Sequence, residues 1–414
     1  MNESRYLSRW LEATVEEMLA EFPVVIVTGA RQTGKTTMVR HLPSARTRHY
    51  VSLDDLRVLD RAQREPDALM GEAPRMTVDE VQRAPDLLRA IKRAVDRDRR
   101  PGRFLLTSSA NLLLMRTVSE SLAGRAVYLR LGPLTEAEKA GRSAPVWSAL
   151  LGASGTVQAR DIIESAGRSG ESWMTAACSG GLPPVLGLTS AGRGRWFDGY
   201  VATYLERDLQ HLAGISALAD FRRLTEIAAL RLGGLLNRAD LARDAALTRP
   251  TTHRYIGILE TSWQVRLLRP YVRGRTQRLV KSPKLYWTDT GLAAHLAGLG
   301  DPRELAASPR RGAYLENLLL CQVDAWRETV SPRPEAYFRR TASGAEVDLV
   351  LVLGRRVLPI EVKASVQARA SDADAVERFL DGNREASCGL VAYAGDEVVP
   401  LSARVLAVPV GRLL

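Results

Sequence analysis

The stretch that decides the fold is Gly29-Ala30-Arg31-Gln32-Thr33-Gly34-Lys35-Thr36-Thr37, which matches the pattern GxxxxGK[ST]. An apolar run at 24–27 precedes it, and a segment compatible with a helix follows it. Glycines let backbone N–H groups wrap phosphate oxygens, and the positive end of the next helix favours an anion. We therefore predict a phosphate-binding loop in which Lys35 reaches the β- and γ-phosphates of ATP and Thr36 holds Mg²⁺.

A second acidic position is needed for the metal and for the attacking water. Met76-Thr77-Val78-Asp79-Glu80 supplies it, as an apolar-leaning strand that ends in two carboxylates. We expect Asp79 to hold Mg²⁺ through water and Glu80 to orient or deprotonate the water. The alternative is a solvated surface pair, which is the usual fate of two neighbouring acidic residues.

Two further polar residues are candidates for contacting the nucleotide. Ser109 follows the predicted strand at 104–107 and is our candidate for the γ-phosphate sensor, against the alternative of a plain turn serine. Arg125 precedes another predicted strand and is a candidate arginine finger acting on a neighbouring subunit. That role requires a homo-oligomer, and the alternative is an ordinary surface arginine.

Strand-like and helix-like segments alternate through the first third of the chain. Residues 5–20 carry an apolar stripe at helical spacing and predict a helix packed on the next domain. Alternation of this kind predicts a parallel sheet covered by helices. The predicted strands are 24–27, 50–53, 75–78, 104–107 and 127–131.

Composition limits the classes to which the protein can belong. The chain has 414 residues, of which 45% are hydrophobic and 25% charged, so wholesale disorder, collagen and coiled coil are excluded. No apolar run approaches the roughly 18 residues of a membrane helix. Its three cysteines are far apart, which makes a disulfide framework a poor interpretation and favours a reducing cytoplasm. We expect two or three domains, a cytoplasmic location and no membrane partner.

Positive charge is concentrated in one segment. The net charge is +11, and residues 221–285 hold fourteen basic residues against four acidic ones, an excess of ten. Clustering of this kind predicts a polyanionic partner, with DNA the first candidate. The alternative is a solvated basic face in a chain where Arg outnumbers Lys by 52 to 6.

The basic segment also shows a helix, turn, helix pattern at 239–246 and 250–259. Thr248 is placed to cap the second helix, and Pro250 suits its first turn. We predict that one face of this helix packs inward (Tyr255, Ile258, Leu259) and the other points outward, as in a recognition helix (Thr251, Thr252, Arg254). Predicted strands at 265–268 and 278–280 bracket a basic wing at 273–275. Winged helices also serve as protein-binding or lid domains.

The last part of the chain contains a hairpin that brings carboxylates together. Alternation along the strand at 357–363 places Glu361 and Lys363 on one face. Asp348, on the preceding strand, faces them across the hairpin, and Glu316 on a helix adds a third carboxylate. Acids that bind Mg²⁺ beside a lysine are what metal-assisted phosphodiester cleavage requires. A solvated hairpin face, or a nuclease fold without activity, is the alternative.

The chain resembles the prokaryotic AAA-type ATPases that join a P-loop domain, a winged helix and a C-terminal domain of restriction-endonuclease, PD-(D/E)xK, type. The motifs that carry the resemblance are GARQTGKTT, VDEVQRAP at 78–85, LTSSANLLL at 106–114, SLAGR at 121–125, YLERDL at 204–209, GAYLEN at 312–317, EVDLVL at 346–351 and IEVKAS at 360–365. It implies ATP and Mg²⁺ as cofactors and a nuclease-like site at Glu316, Asp348, Glu361 and Lys363.

The resulting expectation is an α/β protein with several domains. It has a parallel-sheet AAA-type ATPase domain at 1–138, a helical lid or connector at 139–215, a winged helix at 216–300 and an α/β nuclease-like domain at 305–414. We expect a Mg²⁺-dependent ATPase whose nucleotide state controls the DNA-binding module and the nuclease-type domain. The alternative is an ATP-dependent switch whose C-terminal domain binds a protein partner and cleaves nothing.

Overall fold

The strands predicted around the phosphate loop form one sheet. They are β1 (Val24–Gly29), β2 (His49–Ser52), β3 (Met76–Asp79), β4 (Phe104–Ser109) and β5 (Ala126–Arg130). In the computed structural model, which describes residues 6–109, 122–142, 146–203, 217–272, 281–341 and 344–414, the strand order is β2-β3-β4-β1-β5. Every neighbouring pair is parallel. The predicted parallel-sheet α/β domain is therefore confirmed.

Helices cover both faces of this sheet. They are α1 (Leu11–Glu21), α2 (Lys35–His41), α3 (Leu56–Arg64), α4 (Pro66–Met70) and α5 (Leu87–Arg97). The short helix α6 (Glu136–Lys139) follows β5 in the chain. Successive residues of β1 point to opposite faces, so Val24 and Ile26 enter one apolar core while Val25 and Val27 enter another. Burial on both faces explains why this strand reads as a continuous apolar run.

Where it is described, the central part of the chain is helical apart from one small sheet. Its helices are α7 (Trp147–Leu151), α8 (Thr156–Ser165), α9 (Trp173–Ser179), α10 (Ser190–Tyr200), α11 (Leu218–Leu230), α12 (Arg238–Asp244), α13 (Arg249–Thr261), α14 (Thr290–Leu296) and α15 (Pro302–Ala307). Strands β6 (Val265–Leu268) and β7 (Lys284–Trp287) pair antiparallel. Among the described residues, no helix is long and apolar enough to cross a membrane.

The predicted helix, turn, helix pattern is present as α12 and α13. Thr248 caps α13 by accepting a hydrogen bond from the backbone N of Thr251 at 3.3 Å. The outward placement of Thr252 is wrong, because this residue is buried and its hydroxyl donates to the carbonyl of Thr248 at 3.0 Å. It lies one turn before the buried Tyr255 and Ile256, so it shares their face. The predicted strand at 278–280 and the wing at 273–275 lie outside the described residues.

The last part of the chain contains a mixed sheet. Its elements are α16 (Arg311–Arg327), β8 (Glu335–Arg340), β9 (Glu346–Leu353), β10 (Arg356–Lys363), α17 (Asp374–Asp381), β11 (Gly389–Tyr393), β12 (Val399–Pro400) and β13 (Val405–Pro409). The order is β12-β13-β11-β10-β9-β8. The pairs β8-β9 and β9-β10 are antiparallel, whereas β10-β11 and β11-β13 are parallel.

The central and C-terminal parts share one apolar core. This core runs from Trp147 to Leu414 and is separate from the two cores of the parallel sheet. Helix α7 contributes to it directly, since the indole Nε1 of Trp326 donates to the hydroxyl of Ser148 at 2.9 Å. The ring of Trp147 lies 6.4 Å from that of Trp326. The connector is therefore packed against the C-terminal sheet, and the domain boundaries at 139, 216 and 305 stay predictions.

Candidate active site

The phosphate loop has a backbone shape that only glycine allows at two positions. Gly29 has a φ of 155°, and a Cβ added there would lie 2.2 Å from the carbonyl oxygen of Leu131. Gly34 has a φ of 90° in the left-handed region, directly before the first residue of α2. A side chain at Gly29 would force the loop away from its neighbour. The two glycines therefore fix the turn between β1 and α2, as the motif predicts.

Lys35 lies beneath this loop with only 4% of its surface exposed. Its ammonium donates to the carbonyl oxygens of Gly29 at 3.1 Å and Ala30 at 2.9 Å. Burial lowers the pKa of Lys35 to about 8, although the carboxylates of Glu80 and Asp79 oppose that shift. A buried ammonium held by neutral carbonyl groups is poised to exchange them for the oxygens of an anion.

The other loop residues divide into buried and exposed ones. Ala30 and Thr33 are buried, and the hydroxyl of Thr33 donates to the carbonyl of Ala30 at 3.0 Å. Arg31, Gln32 and Thr37 are exposed. The buried pair therefore maintains the shape of the loop, and the exposed three are the loop side chains that a ligand or a neighbouring molecule can reach.

Thr36 and Asp79 meet as the sequence predicts. The hydroxyl of Thr36 lies 3.0 and 2.9 Å from the two carboxylate oxygens of Asp79. Tyr50 donates to the same carboxylate at 3.0 Å, and Thr107 donates to its other oxygen. Neither Tyr50 nor Thr107 was predicted, because hydroxyls at strand ends carry no distinctive pattern. Hydroxyl and carboxylate oxygens are the ligands that Mg²⁺ prefers, so this donor set fits the metal.

Glu80 and Ser109 also lie together, at the carboxyl ends of β3 and β4. The hydroxyl of Ser109 lies 3.1 Å from both carboxylate oxygens of Glu80, and Gln82 donates to the same group. Glu80 has a φ of 57°, which is strained for a residue other than glycine and typical of functional positions. Its backbone N donates to the hydroxyl of Thr107 at 3.0 Å. Ser109 therefore positions Glu80, and its role as a γ-phosphate sensor stays a prediction.

Arg125 lies far from the loop of its own chain. It precedes β5, whose first residue Ala126 pairs with Val24 at the start of β1, whereas the loop follows the end of β1. Its guanidinium Nε donates to Asp96 on α5 at 2.6 Å. Arg125 therefore takes no part in the site of its own chain, and a role on a neighbouring subunit stays a prediction.

Arg9 is a contact of the loop that sequence reasoning missed. It is buried, and its guanidinium donates to the carbonyl of Thr33 at 2.9 Å and to that of Gly132 at 2.7 Å. It also forms an ion pair with Glu138 on α6 at 3.2 Å. No local pattern marks it, because it is one of 52 arginines and its partners are far away in the sequence. Arg9 therefore ties the loop to the segment that follows β5.

The central part of the chain reaches the same loop. The hydroxyl of Tyr200, at the end of α10, donates to the carbonyl of Arg31 at 3.4 Å. A Cβ built on Gly34 would lie 3.5 Å from the ring of Pro183. A change in the loop on nucleotide binding would therefore be felt by the helical region as well as by the parallel sheet.

A second charged cluster lies between the central and C-terminal parts. We call it the carboxylate cluster and define it as Glu316 on α16 with Glu346 and Asp348 on β9. The ammonium of Lys284, on β7, donates to Glu316 at 2.8 Å and to Asp348 at 3.3 Å, and it also pairs with Glu346. Tyr286 donates its hydroxyl to Glu316. The structure thus brings the predicted Glu316 and Asp348 together, around a lysine that was not predicted.

The predicted Glu361 and Lys363 lie beside this cluster and bind each other. The ammonium of Lys363 donates to Glu361 at 2.7 Å. The other oxygen of Glu361 is buried and has no hydrogen-bond partner among the described residues. Asp348 accepts a hydrogen bond from the backbone N of Val362 at 2.9 Å, which fixes it against β10. The four predicted residues therefore converge, but in two separately paired groups.

Burial and neighbouring charges both shift the pKa values of these two groups. It raises the pKa of Glu316 to about 8, with Asp348 adding to the shift, and it raises that of Glu361 to about 8 in the same way. Burial alone would lower the pKa of Lys284, but Glu316, Asp348 and Glu346 outweigh it and raise that pKa above the ordinary value. The lysine therefore stays charged at neutral pH.

This arrangement does not fit the divalent metal that a nuclease site requires. Within the described ranges, no group of three or more His, Cys, Asp or Glu side chains is arranged to hold a metal ion. The ammonium of Lys284 lies among the carboxylates instead. Lys284 is one of only six lysines in the chain, but nothing in the local sequence indicates that its partners are these acids.

Comparisons with known families divide the chain in the same order as the structure. An AAA domain family matches residues 21–139. Two domain families of unknown function, DUF8612 and DUF4143, match residues 170–303 and 311–413. The phosphate loop lies in the first match, Lys284 in the second and the carboxylate cluster in the third.

Relatives of nearly full length are found in mycobacteria. An uncharacterized protein of Mycobacterium tuberculosis and one of Mycobacterium bovis are each 33% identical to this chain over 403 residues, which is 97% of this chain and 83% of the relative.

Two solved structures align more weakly. A Walker-type ATPase of Pyrococcus abyssi has a TM-score of 0.40 and 16% identity, over 71% of this chain and 97% of that one. A RuvB variant of Thermotoga maritima has a TM-score of 0.30 and 18% identity, over 64% and 89%. The assignment to a family therefore depends on the mycobacterial relatives.

Proposed function

The chain belongs to the same family as the two mycobacterial proteins, and from that premise we propose that it is a Mg²⁺-dependent ATPase whose nucleotide state controls its central and C-terminal parts. An ATPase of the AAA, P-loop type is supported by the AAA domain match. The observation that carries the proposal is the buried ammonium of Lys35, which has carbonyl partners inside a glycine-shaped loop.

Each residue of the site has a role that follows from its position. Lys35 is placed to bind phosphate oxygens, and the hydroxyl of Thr36 and the carboxylate of Asp79 are placed to hold Mg²⁺. Bound there, the metal would neutralise charge that develops on the phosphates. Tyr50 and Thr107 keep the Asp79 carboxylate in one orientation.

Glu80 is the candidate for orienting the attacking water and accepting its proton. Ser109 and Gln82 hold its carboxylate at the end of β3, next to the Asp79 that would anchor the metal. A positioned general base accelerates a reaction about 10²- to 10⁴-fold. Glu80→Gln removes the base and keeps the shape of the side chain. We expect it to bind ATP normally and to hydrolyse it at least ~100-fold more slowly.

The experiment is a steady-state ATPase assay on the purified protein with Mg²⁺, accompanied by nucleotide titration. Glu65→Gln is the matched control, because Glu65 is an exposed carboxylate between α3 and α4. Hydrolysis unchanged in Glu80→Gln would remove Glu80 from the mechanism. No hydrolysis by the wild-type protein, with or without DNA, would contradict the proposed activity.

DNA is the partner that we propose for the central part of the chain. Much of its predicted positive charge is neutralised in the fold: Arg231 pairs with Asp244, while Arg266 and Lys284 pair with acids outside the basic segment. The support that remains is the exposure of Arg249 on α13, the second helix of the pair. Helix-turn-helix and winged-helix domains place a basic, exposed helix of this kind in a groove of DNA.

Salt dependence tests this proposal directly. Binding of a labelled duplex should weaken steeply with salt, and Arg249→Ala should make the slope of log K against log[salt] shallower by about one. Arg243→Ala is the matched control, because Arg243 on α12 is exposed but already pairs with Asp240 at 3.0 Å. Affinity that is flat with salt would remove DNA as the partner and favour a protein at this surface.

For the C-terminal part, we favour a partner-binding module over a nuclease. Its support is the carboxylate cluster, in which an ammonium is the cation in contact with the acids. We expect plasmid DNA to stay intact with the protein, Mg²⁺ and ATP. Cleavage that is present in the wild type and lost in Lys363→Ala would contradict this and establish a nuclease.

A further inference from the structure

We propose that Lys284 is the resident cation of the carboxylate cluster and that its ammonium holds the place of a divalent metal. The proposal does not depend on ATP hydrolysis, because the cluster lies outside the phosphate loop and outside the AAA match. It concerns Glu316, Glu346 and Asp348, three acidic residues on two elements of the C-terminal part. Lys284 reaches them from β7, which belongs to the central part.

The first support is that the ammonium of Lys284 binds all three acids and that the oxygens it meets accept further hydrogen bonds from the protein. Lys284 is 4% exposed, and its ammonium contacts all three carboxylates. Both oxygens of Asp348 accept hydrogen bonds from the protein, one from Lys284 and the other from the backbone N of Val362. The oxygen of Glu316 that meets Lys284 also accepts the hydroxyl of Tyr286. A metal would have to displace these donors to gain its ligands.

The second support is that the backbone holds Lys284 in place on both sides. Lys284 pairs with Leu268 of β6 and forms a bridge with Leu235. The next residue, Leu285, exchanges backbone hydrogen bonds with Gly233 at 2.7 Å and Gly234 at 3.0 Å. Its ammonium also lies 5.5 Å from the centre of the Phe338 ring, a position that favours a cation. The side chain is therefore delivered to the cluster by a fixed strand.

The third support is electrostatic. The three acidic side chains are only partly exposed, at 13% for Glu316, 23% for Glu346 and 13% for Asp348. In their ionised forms they repel one another unless a cation lies among them. Lys284 supplies that cation, and Arg340 reaches the outer carboxylate Glu346 at 3.6 Å. A divalent ion in the same space would lie within a few ångströms of the ammonium, where like charges in a buried site repel each other severely. Metal and lysine therefore exclude each other.

The consequence is an ionic contact between the central and C-terminal parts of the chain. The residue that neutralises the C-terminal acids comes from the central part, so separating the two parts would leave the acids unpaired. The contact thus joins the C-terminal acids to a strand of the central part, in addition to the apolar core that the two parts share.

The experiment measures Mn²⁺ binding by the full chain without nucleotide, using the EPR signal of free Mn²⁺. The variant Lys284→Met removes the ammonium and keeps an apolar side chain of similar length. We expect it to bind one more Mn²⁺ per chain than the wild type, and we expect Mn²⁺ to raise its unfolding temperature by several degrees. Lys281→Met, at an exposed lysine nearby, should gain no Mn²⁺.

Two further variants locate the gained site. Lys284→Arg keeps the positive charge and should gain no Mn²⁺. Adding Asp348→Asn to Lys284→Met should abolish the gained binding. A folded Lys284→Met protein with unchanged Mn²⁺ stoichiometry would overturn the proposal.

The wild type provides a test that does not require Lys284→Met to fold. Its Mn²⁺ stoichiometry should be the same with and without Asp348→Asn, because the cluster holds no metal while the lysine is there. A loss of one bound Mn²⁺ in Asp348→Asn alone would show that the metal already binds beside the lysine, and the proposal would be wrong.

Discussion

Lys35 and Lys284 are equally buried, each 4% exposed, but their surroundings are opposite. Lys35 donates to two neutral carbonyl groups, and burial lowers its pKa to about 8. Lys284 lies among three carboxylates, which overcome the effect of burial and raise its pKa. Among the described residues, Lys35 contacts no carboxylate, whereas Lys284 contacts three.

The difference teaches how to distinguish an open site from a closed one. Burying a charge costs free energy unless the charge is paired. A buried lysine that has only carbonyl partners therefore indicates a binding site for an anion. A lysine surrounded by acids is already neutralised by the protein and does not indicate such a site. On this reasoning the phosphate loop is the ligand site, and the carboxylate cluster is a structural contact.

The largest effect should come from Lys35→Met. Losing the ammonium removes the cation that meets the nucleotide phosphates, and truncating one partner of a buried charge pair costs on the order of 4 kcal/mol, or ~10³-fold in affinity. Fluorescent ATP titration measures it, with Lys281→Met as the control. The unfolding midpoint should not fall, because no described carboxylate forms an ion pair with Lys35 that its loss would break. Unchanged affinity would remove the loop as the nucleotide site.

Lys284→Met should show the reverse pattern. Breaking a fully buried ion pair costs about 3 kcal/mol or more, and the loss here should be smaller, about 2 kcal/mol, because the acids left unpaired are partly exposed. Urea unfolding should therefore show a lower midpoint, while affinity for ATP stays within about twofold of the wild type. A midpoint equal to that of Lys281→Met would mean that the cluster contributes nothing to docking.

Arg9→Ala removes a buried cation whose partners are of both kinds. Arg9 contacts one carboxylate, as Lys284 does with three, and carbonyl groups, as Lys35 does. We expect a loss of about 2 kcal/mol in nucleotide affinity, since the loop loses its tie to the segment after β5. The Michaelis constant should rise and kcat should change little. Arg46→Ala, an exposed arginine between α2 and β2, is the control. A fall in kcat alone would instead place Arg9 in the chemical step.

The smallest effect is a dependence of nucleotide binding on pH. Only the ammonium form of Lys35 binds phosphate, and its pKa in the free protein is about 8. Below that value the lysine is already charged, so affinity should be flat. Above it, binding must take up a proton, and affinity should fall by up to about tenfold per pH unit. Calorimetry in two buffers at pH 9 would detect the proton uptake, and its absence would contradict the lowered pKa.

The nucleotide site was largely predictable because its determinants are local. The loop residues are contiguous in the sequence. One buried strand leads into the loop, and another ends at Asp79, directly before Glu80. The hydroxyls of Tyr50 and Thr107 were not predictable, since they reach Asp79 from other strands. The same is true of Arg9, whose ion-pair partner Glu138 lies in a distant part of the chain.

The carboxylate cluster was only half predictable, for a physical reason. Strand alternation places Glu361 and Lys363 on one face, and the structure brings them together. Lys284 was counted with the basic surface, because a charge total over a window cannot tell an exposed lysine from one whose partners lie in another part of the fold. Thr252 shows the same limit on a smaller scale, since its polarity suggested exposure and its helical position dictates burial.

The most direct test is thermal unfolding of the wild type, Lys35→Met and Lys284→Met, each with and without saturating ATP and Mg²⁺. A ligand that binds the folded state raises the unfolding temperature. We predict that the nucleotide raises it by several degrees in the wild type and by a similar amount in Lys284→Met, and leaves it unchanged in Lys35→Met. A full shift that survives in Lys35→Met would contradict the assignment of the nucleotide site to Gly29–Thr37.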